Sequence, residues 1–282
     1  MRLIEQRNLF RSTLEKHYEV SEIDDLFKRA IVHYFSWSTL KIGLEPQYKL
    51  STEEERQLDE LLTELTTGRP FQYCIGTACF MELKLKVGPG VLIPRPETEE
   101  LIEWVLSEND YVERKVWDIC SGSGCIALAL KNSQPEWSIT GFDISTAALS
   151  IARQNANELG LDVSFEEENV LEWKSNEIRC DLIVSNPPYV LPSEKARMHA
   201  NVLEHEPGLA LFVPEEDPLL FYRKIIEIAS AKLAAGGGLY FEINPLLVDE
   251  LIMLGKANGF PFSNVKKDIF GKDRSVKFSQ KK

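Results

Sequence analysis

Two segments of the chain carry residue types at spacings that can do chemistry. The first is Asp118-Ile119-Cys120-Ser121-Gly122-Ser123-Gly124, set between the apolar run that ends at Ile119 and another that starts at Ile126. Glycines let a backbone turn tightly and approach a ligand with no Cβ in the way, and a helix opening just after the loop offers unpaired N–H groups to polar ligand atoms. Asp143 lies at the end of the next predicted strand, where its carboxylate can accept hydrogen bonds from both hydroxyls of a ribose. Asn169-Val170, further on, can complete a nucleoside pocket, with the amide toward the adenine edge and Val170 against the ring. Gly122-Ser123-Gly124-Cys125-Ile126-Ala127 also satisfies the dinucleotide fingerprint, with an acid about twenty residues later. Asp118, read as an acid at the loop's mouth, favours a different carrier: it would repel two phosphates and welcome an ammonium or a sulfonium. S-adenosylmethionine carries both cations.

The second segment is Asn186-Pro187-Pro188-Tyr189, directly after Asp181-Leu182-Ile183-Val184-Ser185. Two prolines fix φ and remove two N–H donors, so the segment is stiff and its carbonyls are free to face a ligand. The nitrogen of an amide or an aromatic amine is a poor nucleophile because its lone pair is delocalised. Accepting its two N–H groups at the Asn186 side-chain oxygen and the Pro187 carbonyl would aim it at an electrophile, while Tyr189 offers a face for a planar group. Most of the rate gain would then be orientation, with no general base needed before transfer.

Positioning these segments takes a particular set of elements. Strands are predicted at Lys115–Ile119, Ser138–Phe142, Val163–Glu166, Asp181–Ser185 and Gly238–Ile243, alternating with helices at Cys125–Lys131, Thr146–Leu159 and Leu219–Leu233. This alternation predicts an α/β doubly wound sheet, whose ligands lie beyond the carboxyl ends of the strands. Residues 1–73 read as a helical module, with Ser51-Thr52-Glu53-Glu54 as a capping signal. Met81, Leu83, Leu85 and Val87 alternate with polar residues, and Gly88-Pro89-Gly90 precedes Val91-Leu92-Ile93. That pattern predicts a β-hairpin linker over residues 74–96, ahead of a catalytic domain over 97–282. Pro96 is expected near the first position of the next helix, and Lys281-Lys282 are expected to fray.

Composition narrows the partners. The 282 residues are 44% hydrophobic and 27% charged, with 16 glycines and 14 prolines, as in ordinary globular chains. The net charge of −12 and the lack of a basic stripe argue against a nucleic-acid partner. No apolar run nears the roughly 20 residues a membrane helix needs, and the N-terminus lacks the apolar core of a signal peptide, so a cytoplasmic protein without a membrane partner is expected. The five cysteines lack the spacing of a structural zinc site, so packed thiols and no metal are expected.

The chain resembles the release-factor glutamine methyltransferase family over nearly its whole length. The resemblance rests on Gly68-Arg69-Pro70-Phe71-Gln72-Tyr73, Val91-Leu92-Ile93-Pro94-Arg95-Pro96-Glu97-Thr98-Glu99 and Asn186-Pro187-Pro188-Tyr189. It continues through Glu206-Pro207, Ala210-Leu211-Phe212, Phe221-Tyr222, Glu242 and Gly271-Lys272-Asp273-Arg274. It implies an S-adenosylmethionine-dependent Rossmann-like domain with a mostly parallel seven-stranded sheet, preceded by a helical substrate-recognition domain. The implied reaction is methyl transfer to the glutamine of the Gly-Gly-Gln motif in class-1 peptide-chain release factors. Asn186, Pro187, Pro188 and Tyr189 would hold the substrate amide. Asp118, Cys120, Ser121, Gly122, Ser123, Gly124, Asp143, Asn169, Val170 and Asn186 would hold the cofactor. The family usually has Gly where Cys120 stands, and Gly-Asp or similar where Glu168-Asn169 stands. Cys120 is small enough to be accommodated at a negative φ.

Other readings share parts of this pattern. Methylation of a ribosomal-protein glutamine would use the same residues and differ in docking. DNA adenine methyltransferases have a similar tetrapeptide but act on a base flipped out of the helix. A nicotinamide oxidoreductase would need a proton donor, and two of the four histidines, His17 and His33, lie in the helical module.

Overall fold

A computed structural model describes residues 1–109, 113–174 and 179–281; Lys282, expected to fray, lies outside the described residues. The chain divides into two compact units, Met1–Thr77 with His199–His205, and Ala78–Met198 with Glu206–Lys282.

The first unit is helical: α1 (Leu3–Leu14), α2 (Val20–Phe35), α3 (Thr39–Leu44), α4 (Thr52–Thr66), α5 (Phe71–Ile75) and, later in the chain, α9 (Ala200–His205). The Ser51 signal forms a complete capping box, in which the Glu54 N–H donates to Ser51 Oγ and the Ser51 N–H to Glu54 Oε2 at 2.7 Å. Apolar residues three and four apart on α1, α2 and α4 meet in one core, where Phe10 and Phe27 pack edge to face at 5.1 Å. The segment 199–205 joins this unit and not the catalytic one, and Asn201 Nδ2 donates to the Tyr18 hydroxyl.

The hairpin of the second unit differs from expectation. Its strands are β1 (Thr77–Phe80) and β2 (Leu83–Lys86), turning at Met81-Glu82, and Val91-Leu92-Ile93 is irregular. Pro89 and Pro94 supply no ladder donors on either side of that segment, and the Ile93 N–H is taken by the Glu206 carboxylate at 3.1 Å. Nor is the hairpin a linker. Phe80, Leu83 and Leu85 are buried in one core with Leu101 and Ile102 of α6 (Pro96–Glu108), which opens on the expected proline.

The strands that follow are β3 (Lys115–Ile119), β4 (Ser138–Asp143), β5 (Ser164–Glu167), β6 (Cys180–Ser185), β7 (Leu233–Glu242), β8 (Phe262–Lys267) and β9 (Asp273–Ser279). They form a seven-stranded sheet in the order β5-β4-β3-β6-β7-β9-β8, parallel except for β9, which runs antiparallel to both its neighbours. Helices α7 (Cys125–Ser133), α8 (Thr146–Leu159), α10 (Gly208–Leu211), α11 (Leu220–Lys232) and α12 (Val248–Ala257) complete the unit. The period of two decides which face each strand residue serves. Val116, Leu182 and Tyr240 face a core shared with α6, α7 and α8, while Trp117, Ile183 and Phe241 face one shared with α11 and α12. Strand order reverses between β3 and β6, which places the ligand-binding crevice of a doubly wound sheet beyond their carboxyl ends. Among the described residues no helix is long and apolar enough to cross a membrane.

Candidate active site

Register brings the two segments together. Ile119 pairs with both Phe142 and Ser185, so the loop after β3, Asp143 at the end of β4 and Asn186 after β6 all emerge at one end of the sheet. Ser185 Oγ donates to the Ile119 carbonyl at 2.5 Å and ties β6 to β3 just before the chemistry begins. Between them lies a cavity of about 280 Å³, lined by the loop residues Cys120, Ser121, Gly122 and Ser123, by Asp143, Asn169 and Val170, and by Asn186 and Pro188.

The loop turns on Gly122 and Gly124, at φ 56° and 80°. A Cβ on Gly124 would lie 2.8 Å from the Phe165 ring, so glycine is required there for space as well as for φ. Asp143 clamps the loop from the side: Oδ2 accepts the Gly122 N–H and Oδ1 the Ser145 N–H, both at 2.8 Å. Burial raises its pKa, against the pull of these backbone donors. Each oxygen keeps a lone pair for a further donor, which suits a vicinal diol.

Asp118 does not stand at the loop's mouth. Its side chain is 0% exposed, and Oδ2 accepts the Ser121 hydroxyl at 2.6 Å and the Ala127 N–H at 3.2 Å. Oδ1 is buried without a partner among the described residues, and burial pushes the pKa up to about 7. Asp118 is thus a brace beneath the loop, because β3 pairs on both sides and directs that side chain inward.

Cys120 does not have the negative φ at which its side chain would be accommodated without strain. Its φ is 65°, in the left-handed region where a side chain costs about 1–2 kcal/mol, and the thiol is held protonated by burial. Relief of that strain offsets the lost packing of the sulfur, so Cys120→Gly is expected to melt no lower than the parent. Cys120→Val, a β-branched residue at the same φ, should lose about 2 kcal/mol. Thermal denaturation of the two variants checks this, and a glycine variant less stable than the valine one would refute it.

Asn169 Oδ1 accepts the Leu171 N–H at 3.0 Å, which leaves its Nδ2 as the group free for a ligand. Val170 is buried against the second core and lines the cavity. Apolar lining from Leu92, Phe142, Ile144 and Val170 suits a flat aromatic base, and Asp143 suits a ribose. The residues present therefore fit S-adenosylmethionine. Among the described residues no group of three His, Cys, Asp or Glu side chains could hold a metal.

At the tetrapeptide, Pro187 and Pro188 are buried and Asn186 is half-buried at the cavity wall. Pro187 and Tyr189 do not line the cavity. The Tyr189 hydroxyl donates to Glu242 Oε1 at 2.8 Å, and Asn186 Nδ2 donates to Glu242 Oε2 at 2.9 Å. Glu242 reaches them because β7 lies parallel beside β6, with Phe241 opposite Ser185. Burial raises its pKa, opposed by the Thr98 and Tyr189 hydroxyls and the charge of Arg274.

Thr98, Arg95 and Glu242 stand in the segments that carry the family resemblance, but the sequence reading gives them no role in the site. Arg95 lines the cavity and donates to the buried Glu206 carboxylate at 2.6 Å. The signal for Glu242 was a lone acid closing the apolar run Leu239-Tyr240-Phe241.

Residues 97–206 match the Methyltransferase small domain, and residues 5–76 match the PrmC N-terminal domain. The chain is 40% identical over 275 residues to the release factor glutamine methyltransferase of Flavobacterium psychrophilum, covering 96% of each. It is 42% identical over 265 residues to that of Bacteroides thetaiotaomicron, covering 94% of this chain and 95% of the relative. Among solved structures, a methyltransferase from Pyrococcus furiosus superposes with a TM-score of 0.54 at 17% identity, covering 82% of this chain and 99% of that one, a likeness of fold alone. With relatives of that identity along nearly its full length, the chain belongs to the release factor glutamine methyltransferase family.

Proposed function

We propose that the protein transfers a methyl group from S-adenosylmethionine to the side-chain amide nitrogen of the glutamine in the Gly-Gly-Gln motif of class-1 peptide-chain release factors, in the cytoplasm and without a nucleic-acid or membrane partner. The observation that carries this reading is the Asn186 amide, tied by its Nδ2 to Glu242 so that Oδ1 is left to accept an N–H at the cavity wall.

When bound, S-adenosylmethionine supplies an electrophilic methyl group on a sulfonium. Gly122, Asp143, Asn169 and Val170 are the residues that would hold it, with Asp143 on the ribose. Asn186 Oδ1 accepts one N–H group of the entering amide at the cavity wall, and the Pro187 carbonyl, next in the chain though not part of the cavity lining, would accept the other. Held this way, the nitrogen presents its lone pair in one direction, and orientation of this kind supplies a large part of the acceleration. No side chain has to take a proton before transfer.

Support for the substrate comes from relatives of that name, matched along nearly their full length, and from the net charge of −12, which disfavours a polyanion. The test is incubation of the protein with methyl-labelled cofactor and, separately, a release factor, a ribosomal protein and duplex DNA, with the methyl located by mass spectrometry. Label on the Gly-Gly-Gln glutamine is expected, and label on DNA instead would overturn the reading. Asp143→Ala should weaken cofactor binding by roughly 10–100-fold, the loss of one or two hydrogen bonds to a charged acceptor. Calorimetry measures this, and unaltered affinity would remove the ribose contact from the account.

A further inference from the structure

Glu242 is 1% exposed, and its carboxylate receives three neutral donors. Oε2 accepts the Thr98 hydroxyl at 2.5 Å and Asn186 Nδ2 at 2.9 Å, and Oε1 accepts the Tyr189 hydroxyl. Asn186 Nδ2 also lies 3.2 Å from Thr98 Oγ1. Because the Thr98 proton is committed to Glu242, the Thr98 oxygen is an acceptor toward Asn186. Both inward partners of the Asn186 amide are thus acceptors.

This matters because a side-chain amide has two ends of similar shape and opposite hydrogen-bonding sense. Turned over, Asn186 would set its oxygen against a carboxylate oxygen and a hydroxyl oxygen, and would lose both inward bonds inside the protein, where unmet polar groups are costly. We infer that Glu242 is a positioning residue that sets the polarity of the Asn186 amide, so that the site presents an acceptor and selects a side chain bearing N–H. The inference rests on the proposed amide substrate and extends it to specificity. Thr98 assists, and the tetrapeptide alone does not define the polarity, since nothing in Asn-Pro-Pro-Tyr decides which end of the amide faces out.

The test uses two synthetic Gly-Gly-Gln peptides, one with the natural glutamine and one with its methyl ketone isostere, which keeps the carbonyl, carries no N–H and is uncharged. Binding of both is measured with the parent, Glu242→Leu and Glu242→Gln, together with turnover of the natural peptide. The parent is expected to turn over the glutamine peptide and to bind it at least tenfold more tightly than the ketone. In Glu242→Leu, where Asn186 can take either orientation, the preference should fall below threefold. Its kcat should drop about a hundredfold with a smaller change in KM, and S-adenosylmethionine affinity should stay within threefold. Glu242→Gln can keep its amide oxygen toward Asn186 and Thr98 while its NH2 donates to the Tyr189 hydroxyl, which also accepts, so it should keep the parent's preference within threefold. Glu242→Met takes the place of Glu242→Leu if the leucine variant does not fold. Parental discrimination in the folded apolar variant overturns the inference while leaving the proposed function intact, whereas a parent that does not methylate the glutamine peptide sinks both.

Discussion

Asn186→Ala is expected to turn over a Gly-Gly-Gln peptide about a thousandfold more slowly than the parent, with cofactor affinity reduced by no more than about tenfold. Removing one preorganised hydrogen-bond partner from a reaction centre typically costs a factor of about 100–1,000. Here the loss also frees the nucleophile to rotate, because the Pro187 carbonyl alone cannot hold a planar amide in one orientation. The cofactor should be less affected, since Asp143, the proposed ribose partner, is held by the backbone N–H groups of Gly122 and Ser145 and not by Asn186. Alanine also strands part of the network behind it: Glu242 loses one of its three donors and keeps the Thr98 and Tyr189 hydroxyls. Single-turnover rates with calorimetry on the same preparation separate the two effects. Turnover within tenfold of the parent would remove Asn186 from the reaction.

The second large effect is on stability. Gly141 lies in β4, where an added Cβ would sit 2.6 Å from both Phe165 Cδ1 and Ser121 Oγ. Neither neighbour can easily give way. Phe165 is buried in the core with α7 and α8, and Ser121 Oγ is engaged with Asp118 beneath the loop. Gly141→Ala should therefore cost about 3 kcal/mol, in the range of overpacking in a close-packed interior. Cofactor affinity should fall as well, because the methyl group presses on the loop from below. Gly43→Ala is the control: nothing lies within 4 Å of its Cβ position, and alanine favours α3 by about 1 kcal/mol. Denaturant unfolding of the pair measures the difference, and similar midpoints would show that the space beside Gly141 is not limiting.

How much of this was readable in the residues follows from what each feature depends on. Strands β3, β4 and β6 were legible nearly to the residue: Val116-Trp117, Ile139 with Phe142, and Leu182-Ile183-Val184 mark segments buried on both faces, each followed by a turn or breaker signal. By contrast β8 and β9 were not read as strands: β8 exposes Phe262 and Val265 at the sheet edge and has little alternation to read, and only the family resemblance implied a sixth and a seventh strand. The hairpin was misplaced because period two continues through Met81, where the chain turns at φ 50°. Asn186 and Asp143 could be singled out because each directly follows a predicted strand, and Gly122 because it lies in the glycine loop after one. The roles of Asp118 and Cys120 were not, because both depend on side-chain direction and φ at a turn, which spacing does not encode. Glu242 needed the pairing of β6 with β7, a contact between segments far apart in the chain.

That separation has a kinetic side. The register that aligns the site joins Ile119 to Ser185, 66 residues on, and then Ser185 to Phe241 across another long excursion of chain. Loop-closure entropy must be met before such pairings return any energy, so they form late and slowly. The loop after β3 and the Asp143 clamp need only the nearer partner β4. On this ground the loop and its Asp143 clamp are expected to gain protection before the Asn186–Glu242 pairing, and hydrogen exchange during refolding would show the order.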